Sequence, residues 1–373
     1  MTPAAGAPAF NQIDRFLSIV VKRGGSDLHM AVGSPPVIRI DGDLERIRYR
    51  NLGEGDFYNL LSKVTPPDIW NRYQMTGDAD FAYQMGGDAR FRANLLKQES
   101  GSAAVFRLIP SRVPTAEELN LPPVVADLAL AGSGLVLVTG PTGSGKSTTL
   151  AALFDRMNRR FARHIVTIED PVEFVYSNER SVFTQREIGP DVPDFAAGVR
   201  AAMREDPDAL LVGEMRDLET IRMTLTAAET GLLVFATLHT NSAAKAIDRI
   251  IDAFPHDEQD QIRIVLAETL RAVVAQQLLK RRGGGRLPAF EILLGSPALS
   301  NSIREGRIAM IGTQIQTGRS RGMISMDQAL QELVRAGSVE PQQALDHALD
   351  KDQFKIFLAS ARAAPAAPAA PQR

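Results

Sequence analysis

The spacing of hydrophobic positions changes character along the chain, and the changes mark out its elements. Phe10, Ile13, Phe16, Leu17, Val20 and Val21 recur at helical spacing, so a helix is expected over 10–22. Short runs rich in strand formers follow: "DLHMAV", "PPVIRIDGDLERI", "DADFAYQM", "ARFRANLL" and "SAAVFRLI", split by turn residues. Gly86 and Gly87 lie between two of these runs and suit a hairpin loop. Within "ARFRANLL", period two sets Phe91, Ala93 and Leu95 on one face and Arg90, Arg92 and Asn94 on the other. In "AVFRLIP", Phe106 and Leu108 oppose Val105 and Arg107, so Arg92 and Arg107 are expected on one exposed face. The whole reads as a small α+β domain over 1–109.

Four prolines in "PSRVPTAEELNLPP" and the loss of any period mark 110–123 as a linker. Beyond it, "GLVLVTG", "HIVTIED", "DALLVGE" and "GLLVFATLH" are near-continuous apolar strands separated by helical stretches. Strands of that kind are covered on both faces, which predicts an α/β domain with a mainly parallel sheet over 124–296. Helical patterns broken by glycines fill 297–359. The Ala/Pro-rich end, 360–373, is expected to be a disordered tail.

Composition narrows the function classes. The 373 residues are 44% hydrophobic and 23% charged, with a formal charge of −2. That balance offers no general attraction to nucleic acid or anionic membrane. The only basic cluster, "LKRRGGGR", is glycine-rich and reads as a solvated loop. With no cysteine there is no disulfide framework and no thiolate metal site. No apolar run approaches the roughly 18 residues that span a bilayer, and the N-terminus lacks a signal-peptide pattern. A soluble, cytoplasmic protein is expected.

The chemistry concentrates at the strand ends. Gly140, Pro141, Thr142, Gly143, Ser144, Gly145, Lys146 and Ser147 match G-x-x-x-x-G-K-[ST], after an apolar strand and before a helical stretch that Thr148 continues. Glycines there let backbone N–H groups turn toward a phosphate, and the helix N-terminus adds positive potential. Lys146 would reach the outer phosphates of ATP, and the Ser147 hydroxyl would ligate Mg²⁺. "HIVTIEDP" ends in Glu169 and "DALLVGE" in Glu214, acids that parallel strands deliver to the edge holding the phosphate loop. Many such enzymes carry an aspartate where Gly213 stands, so the metal's outer shell falls to Glu214 and the general-base role to Glu169. His239, ending "GLLVFATLH", is placed to sense a γ-phosphate.

Together, the phosphate loop, "TIEDPVEF", "LLVGEMRDLETI" and "ATLHTNSA" resemble the type IV pilus retraction ATPases, the PilT family of secretion ATPases. The resemblance runs from about residue 10 to about 358. It implies an N-terminal PAS-like domain joined to a RecA-like domain, six subunits in a ring, and nucleotide between the domains. It also implies an aspartate box at 169–173 and a role for Arg92 and Arg107 as arginine fingers. A PilC-like platform protein of the inner membrane would be the partner, at the base of the pilus, with a PilU-like paralogue as a further one. One motif departs: where the family reads A-I-R-N-L-I-R-E, this chain has "ALSNSIRE", with Ser300 for an arginine and Ser302 for a leucine. That keeps a PilU-like accessory role open. The assembly and secretion ATPases of the PilB/GspE group are longer and carry a tetracysteine site, which this chain lacks.

Overall fold

The computed structural model describes residues 11–86, 89–109 and 112–363, in two compact units that divide at Arg112 and Val113. The first unit is built on one antiparallel sheet. Its strands are β1 (Asp27–Ala31), β2 (Val37–Ile40), β3 (Asp43–Arg46), β4 (Asp78–Met85), β5 (Ala89–Gln98) and β6 (Gly101–Ile109), in the order β3-β2-β1-β6-β5-β4. Alternation decides its two faces. Leu28, Met30, Ile38, Phe91, Ala93, Leu95 and Phe106 are buried beneath helices α1 (Asp14–Lys22), α2 (Glu54–Leu61) and α3 (Pro67–Thr76). Those helices supply Phe16, Leu17, Val20, Phe57, Leu61 and Tyr73 to the same core. Val21, expected on the buried face of α1, is 39% exposed because the helical stripe turns past it. Phe10 and Gly87 lie outside the described residues, while Gly86 takes φ +56° at the end of β4. The other sheet face is polar.

The expected linker does not stand clear of the second unit: Ala116 and Leu121 are buried in that unit's core, ahead of the short helix α4 (Pro123–Ala126). The second sheet has β7 (Gly134–Thr139), β8 (His164–Glu169), β9 (Val182–Glu187), β10 (Ala209–Val212), β11 (Leu233–Leu238), β12 (Leu270–Lys280) and β13 (Arg286–Leu294). Their order is β13-β12-β7-β11-β10-β8-β9, and every pairing is parallel except that of β12 with β13. Helices cover both faces. Val136, Val138, Leu211 and Phe235 pack toward α5 (Lys146–Arg160). Leu135, Leu137, Val212 and Ala236 pack toward α6 (Phe195–Ala202), α7 (Leu218–Glu229), α8 (Ala243–Asp252) and α9 (Gln259–Thr269).

Beyond β13 come α10 (Pro297–Arg304), α11 (Ile311–Thr317), α12 (Met326–Arg335), α13 (Pro341–His347) and α14 (Lys351–Ala363). Leu299, Ile303 and Ile311 join the core under α8 and α9, whereas Met326, Leu330, Ala344 and Phe354 close over Leu279 and Ala289 of the β12–β13 hairpin. The stretch expected as a tail from residue 360 therefore begins inside α14, and 364–373 lie outside the described residues. Glu291, buried on β13, accepts the backbone N–H of Ala243 at 2.7 Å and of Met326 at 3.2 Å, tying the starts of α8 and α12 to one carboxylate. Burial pushes its pKa up against those two hydrogen bonds.

Candidate nucleotide site

Parallel register brings four strand ends to one edge. Thr139 of β7 lies opposite Leu238 of β11, and Val212 of β10 opposite both Ala236 and Ile168. The loop 140–145 leaves β7 at this edge and turns through Gly140 (φ +150°), Gly143 (φ +78°) and Gly145 (φ +89°) into the first turn of α5. Gly140 has a second reason to lack a side chain: a Cβ there would collide with the Gln276 carbonyl oxygen and come within 2.6 Å of Ser144 Oγ. Gln276, on the neighbouring strand β12, accepts a hydrogen bond from Thr149 Oγ1 at 2.8 Å and braces the loop from beneath.

The loop carries the marks of an anion cradle. Pro141, Thr142 and Gly143 are exposed, while Ser147 and Thr148 are half-buried. Lys146 Nζ donates to the loop's own carbonyls, Gly140 at 2.9 Å and Pro141 at 3.2 Å. Burial lowers its pKa, opposed by the carboxylates of Glu214 and Glu173. Ser144 is only 2% exposed, and its hydroxyl has no hydrogen-bond partner among the described residues. A buried orphan hydroxyl beside a buried ammonium, at a helix N-terminus, fits the phosphates of a nucleotide.

Glu169 and Glu214 both reach this edge, in different surroundings. Glu169 is 9% exposed and accepts from Thr167 Oγ1 at 2.7 Å and from Gln185 Nε2 at 3.4 Å. Burial outweighs those bonds and pushes its carboxyl up to about 7. Glu214 is half-buried: burial raises its pKa, but hydrogen bonds from Arg216 Nε (2.6 Å) and His239 Nε2 (3.0 Å) leave it below the ordinary value. Glycine precedes it for want of room, since a Cβ on Gly213 would sit 3.0 Å from the Ile168 carbonyl and 3.3 Å from Glu169 Cα.

His239 is thereby joined to Glu214, and the next residue is joined to the phosphate loop. Thr139 Oγ1 donates to the Thr240 carbonyl at 2.6 Å and accepts the Thr240 N–H at 3.0 Å. Thr237 Oγ1, one residue before the end of β11, donates to the carbonyl of Gly213, the residue that follows β10. A cleft of about 650 Å³ opens beside Pro141 and His239, walled farther out by Gln277, His347 and Lys351. Sequence spacing alone did not single out Arg216, Glu173 or Gln276. The first two lie within boxes quoted above, but Gln276 stands on a strand no turn residue announces.

Arg92 and Arg107 belong to the first unit, where they lie directly opposite each other on β5 and β6. Both lie on the polar face, Arg107 exposed and Arg92 half-buried; Arg92 pairs with Asp80 at 3.5 Å and Arg107 with Asp27 at 2.9 Å. At the other end of the chain, Ser300 Oγ donates to the Ala267 carbonyl (2.6 Å) and Ser302 Oγ accepts from Gln314 Nε2 (2.7 Å). The two departures from the family motif thus bind α10 to α9 and α11.

Comparison with known proteins decides the family. The model for type II/IV secretion system proteins matches residues 4–351. The chain is a secretion-family P-loop ATPase. It is 47% identical to the type IV pilus retraction ATPase PilT of Pseudomonas aeruginosa, over 92% of this chain and 99% of that one. It is 34% identical to the type IV pilus ATPase PilU of the same organism, over 93% and 91%. Among solved structures, this ATPase superposes on the pilus retraction motor PilT with bound ADP at a TM-score of 0.85, with 40% identity, covering 92% of this chain and 98% of that one. The Legionella pneumophila ATPase DotB matches at a TM-score of 0.80 with 27% identity, over 96% and 98%.

Proposed function

We propose that this ATPase is a type IV pilus retraction motor, working as a homohexamer with Mg²⁺ on the cytoplasmic side of the inner membrane at the pilus base. The observation that carries the reading is the 47% identity to PilT over 92% of the chain, against 34% to PilU. Among the described residues no helix is long and apolar enough to cross a membrane, so contact with the envelope falls to a partner such as a PilC-like platform protein. Type II secretion system protein E of Klebsiella pneumoniae, 35% identical over 74% of this chain, is matched over only 55% of its own length. An assembly or secretion role is accordingly the weaker reading.

In this reading the backbone N–H groups of 140–148 and Lys146 hold the phosphates of ATP. Ser147, and Glu214 through the water shell, would hold Mg²⁺, which when bound neutralises phosphate charge. Glu169, with a carboxyl poised near 7, takes the proton of the attacking water. His239, bonded to Glu214, answers to the state of the γ-phosphate. Arg92 and Arg107 complete a neighbouring subunit's site and stabilise charge in the transition state. Hydrolysis then changes the angle between the PAS-like and RecA-like domains, and the ring passes that displacement to the platform.

The decisive biochemical test is steady-state ATP hydrolysis by wild type and Lys146→Ala, with Mg²⁺ and with chelator, on material sized by sedimentation. Turnover that needs both Mg²⁺ and Lys146, in a species of six subunits, is expected. Turnover that survives either loss, or full activity as a monomer, overturns the reading. Ser300 and Ser302 favour a PilU-like accessory role as the second reading, and a strain lacking only this gene separates the two: an accessory protein leaves retraction in place.

A further inference from the structure

We infer that Asp27 is a positioning residue for Arg107: a buried carboxylate that holds the guanidinium in a fixed attitude on the open face of the N-terminal sheet. The inference rests on reading Arg107 as an arginine that meets a phosphate. It adds a residue that acts only through Arg107.

Strand register sets up the arrangement. Arg92 of β5 faces Arg107 of β6, Arg107 faces Asp27 of β1, and Asp27 faces Arg39 of β2. Three arginines and one acid form a row across the sheet. Like charges directly opposite on neighbouring strands are unfavourable, and a solvated surface would gain nothing from such a row. The acid is also in an unusual place for a surface counter-ion. Asp27 is 3% exposed, whereas the Arg107 side chain is 69% exposed. Burial alone would raise its pKa, but hydrogen bonds from Ser26 Oγ (2.7 Å) and Arg107 Nε (2.9 Å) hold it below the ordinary carboxylate value. Arg39 Nε stands off from Asp27 at 3.9 Å, and Arg39 Nη1 donates instead to the Gly42 carbonyl at 2.6 Å.

The geometry of the bond supplies the function. Asp27 takes Arg107 by Nε, and among the described residues the two terminal nitrogens have no hydrogen-bond partner. Anchored at its inner nitrogen, the guanidinium keeps its outer N–H groups free for an anion and loses the rotamer freedom an exposed arginine otherwise spends on binding. Arg92 is held differently: its contact with Asp80 is longer, at 3.5 Å, and both side chains are nearly half exposed. Asp27 therefore serves Arg107, and Asp80 gives no equivalent hold on Arg92.

The test is a double-mutant cycle in the full-length chain, with kcat and KM for MgATP as readouts. Asp27→Asn keeps the shape and an acceptor but removes the charge. We expect it to lower kcat by about tenfold while KM stays within about twofold, as for an interaction made in the transition state. In an Arg107→Ala background the same change should alter kcat less than about twofold, since its route is gone. Arg107→Lys, an exposed change that should fold, has no Nε to be held and should behave like Arg107→Ala. Unchanged kcat in Asp27→Asn, or an equal loss with and without Arg107, overturns the inference, as does near-normal turnover in Arg107→Lys. If Arg107→Ala itself leaves kcat intact, the phosphate-directed reading of Arg107 fails first.

Discussion

Glu169 offers the sharpest physical test, because one raised carboxyl governs the pH dependence of stability and of catalysis, in opposite directions. In an unfolded chain its carboxyl titrates near 4.5; in the folded one burial raises that to about 7. Below 4.5 the group is neutral in both states and folding bears no penalty. As pH rises from 4.5 to about 7 the unfolded chain gives up its proton first, so stability falls, and above about 7 the loss is constant. At 1.36 kcal/mol per pH unit, that gap comes to about 3 kcal/mol. Glu169→Gln removes the charge while its oxygen still accepts from Thr167. The new amide nitrogen meets the Glu173 N–H, whose present contact with Glu169 is long at 3.5 Å, so the variant carries a small fixed cost. Any such offset is independent of pH, and the slope is the test. Hydrogen exchange at the amides of β8 and β10, compared between the two proteins at matched pH, cancels the intrinsic rate. The variant's relative protection should rise by on the order of 50-fold between pH 5 and pH 8. A protection ratio that stays flat over that range refutes the buried, raised carboxyl, and with it the case for Glu169 as the base. The same titration predicts a wild-type kcat that climbs through about pH 7 to a plateau, with Glu169→Gln nearly inactive throughout.

Other consequences follow from single contacts. Gly140→Ala forces a Cβ against the Gln276 carbonyl at φ +150°. Strain of about 1–3 kcal/mol should weaken ADP binding by about 5- to 150-fold, measured by calorimetry, while the far-ultraviolet circular dichroism stays native. Asn158, 2% exposed, donates to the Ser177 carbonyl and accepts the Glu179 and Ser181 N–H groups. Asn158→Ala leaves all three unpaired and should destabilise the second unit by about 2–4 kcal/mol, with exchange rising first over 177–181. Unchanged protection there would show that the loop does not depend on that side chain.

How far the sequence reaches is visible in particular elements. The four strands read from continuous apolar runs are all present, because a strand buried on both faces has only one composition open to it. The phosphate loop was legible for a similar reason: its glycines and lysine answer to backbone conformation and charge. β12 was not legible. Helix α9 runs through Thr269 into β12 at Leu270 with no glycine or proline between them, so nothing local announces the change of period. Gln276 was hidden with that strand. β9 lies at the sheet's edge with half-exposed side chains, and weak alternation there gave no signal. Period two placed Arg92 and Arg107 on one face correctly, but only register revealed that they oppose each other, or that Asp27 completes the row. Partners across strands are fixed by pairing, which a single sequence does not display. The difference between Glu169 and Glu214 is of the same kind: burial raises the first, while Arg216 two residues on and His239 from the end of β11 lower the second, and neither the burial nor the His239 contact shows in a single sequence.

The central claim is that ATP turnover at this site drives pilus retraction. The most direct measurement replaces the native gene with the Lys146→Ala allele in the host and counts surface pili by electron microscopy alongside a twitching assay. The account predicts cells with abundant pili that do not move. Bald cells would instead make the protein an assembly motor, and cells that still retract their pili would contradict the claim outright.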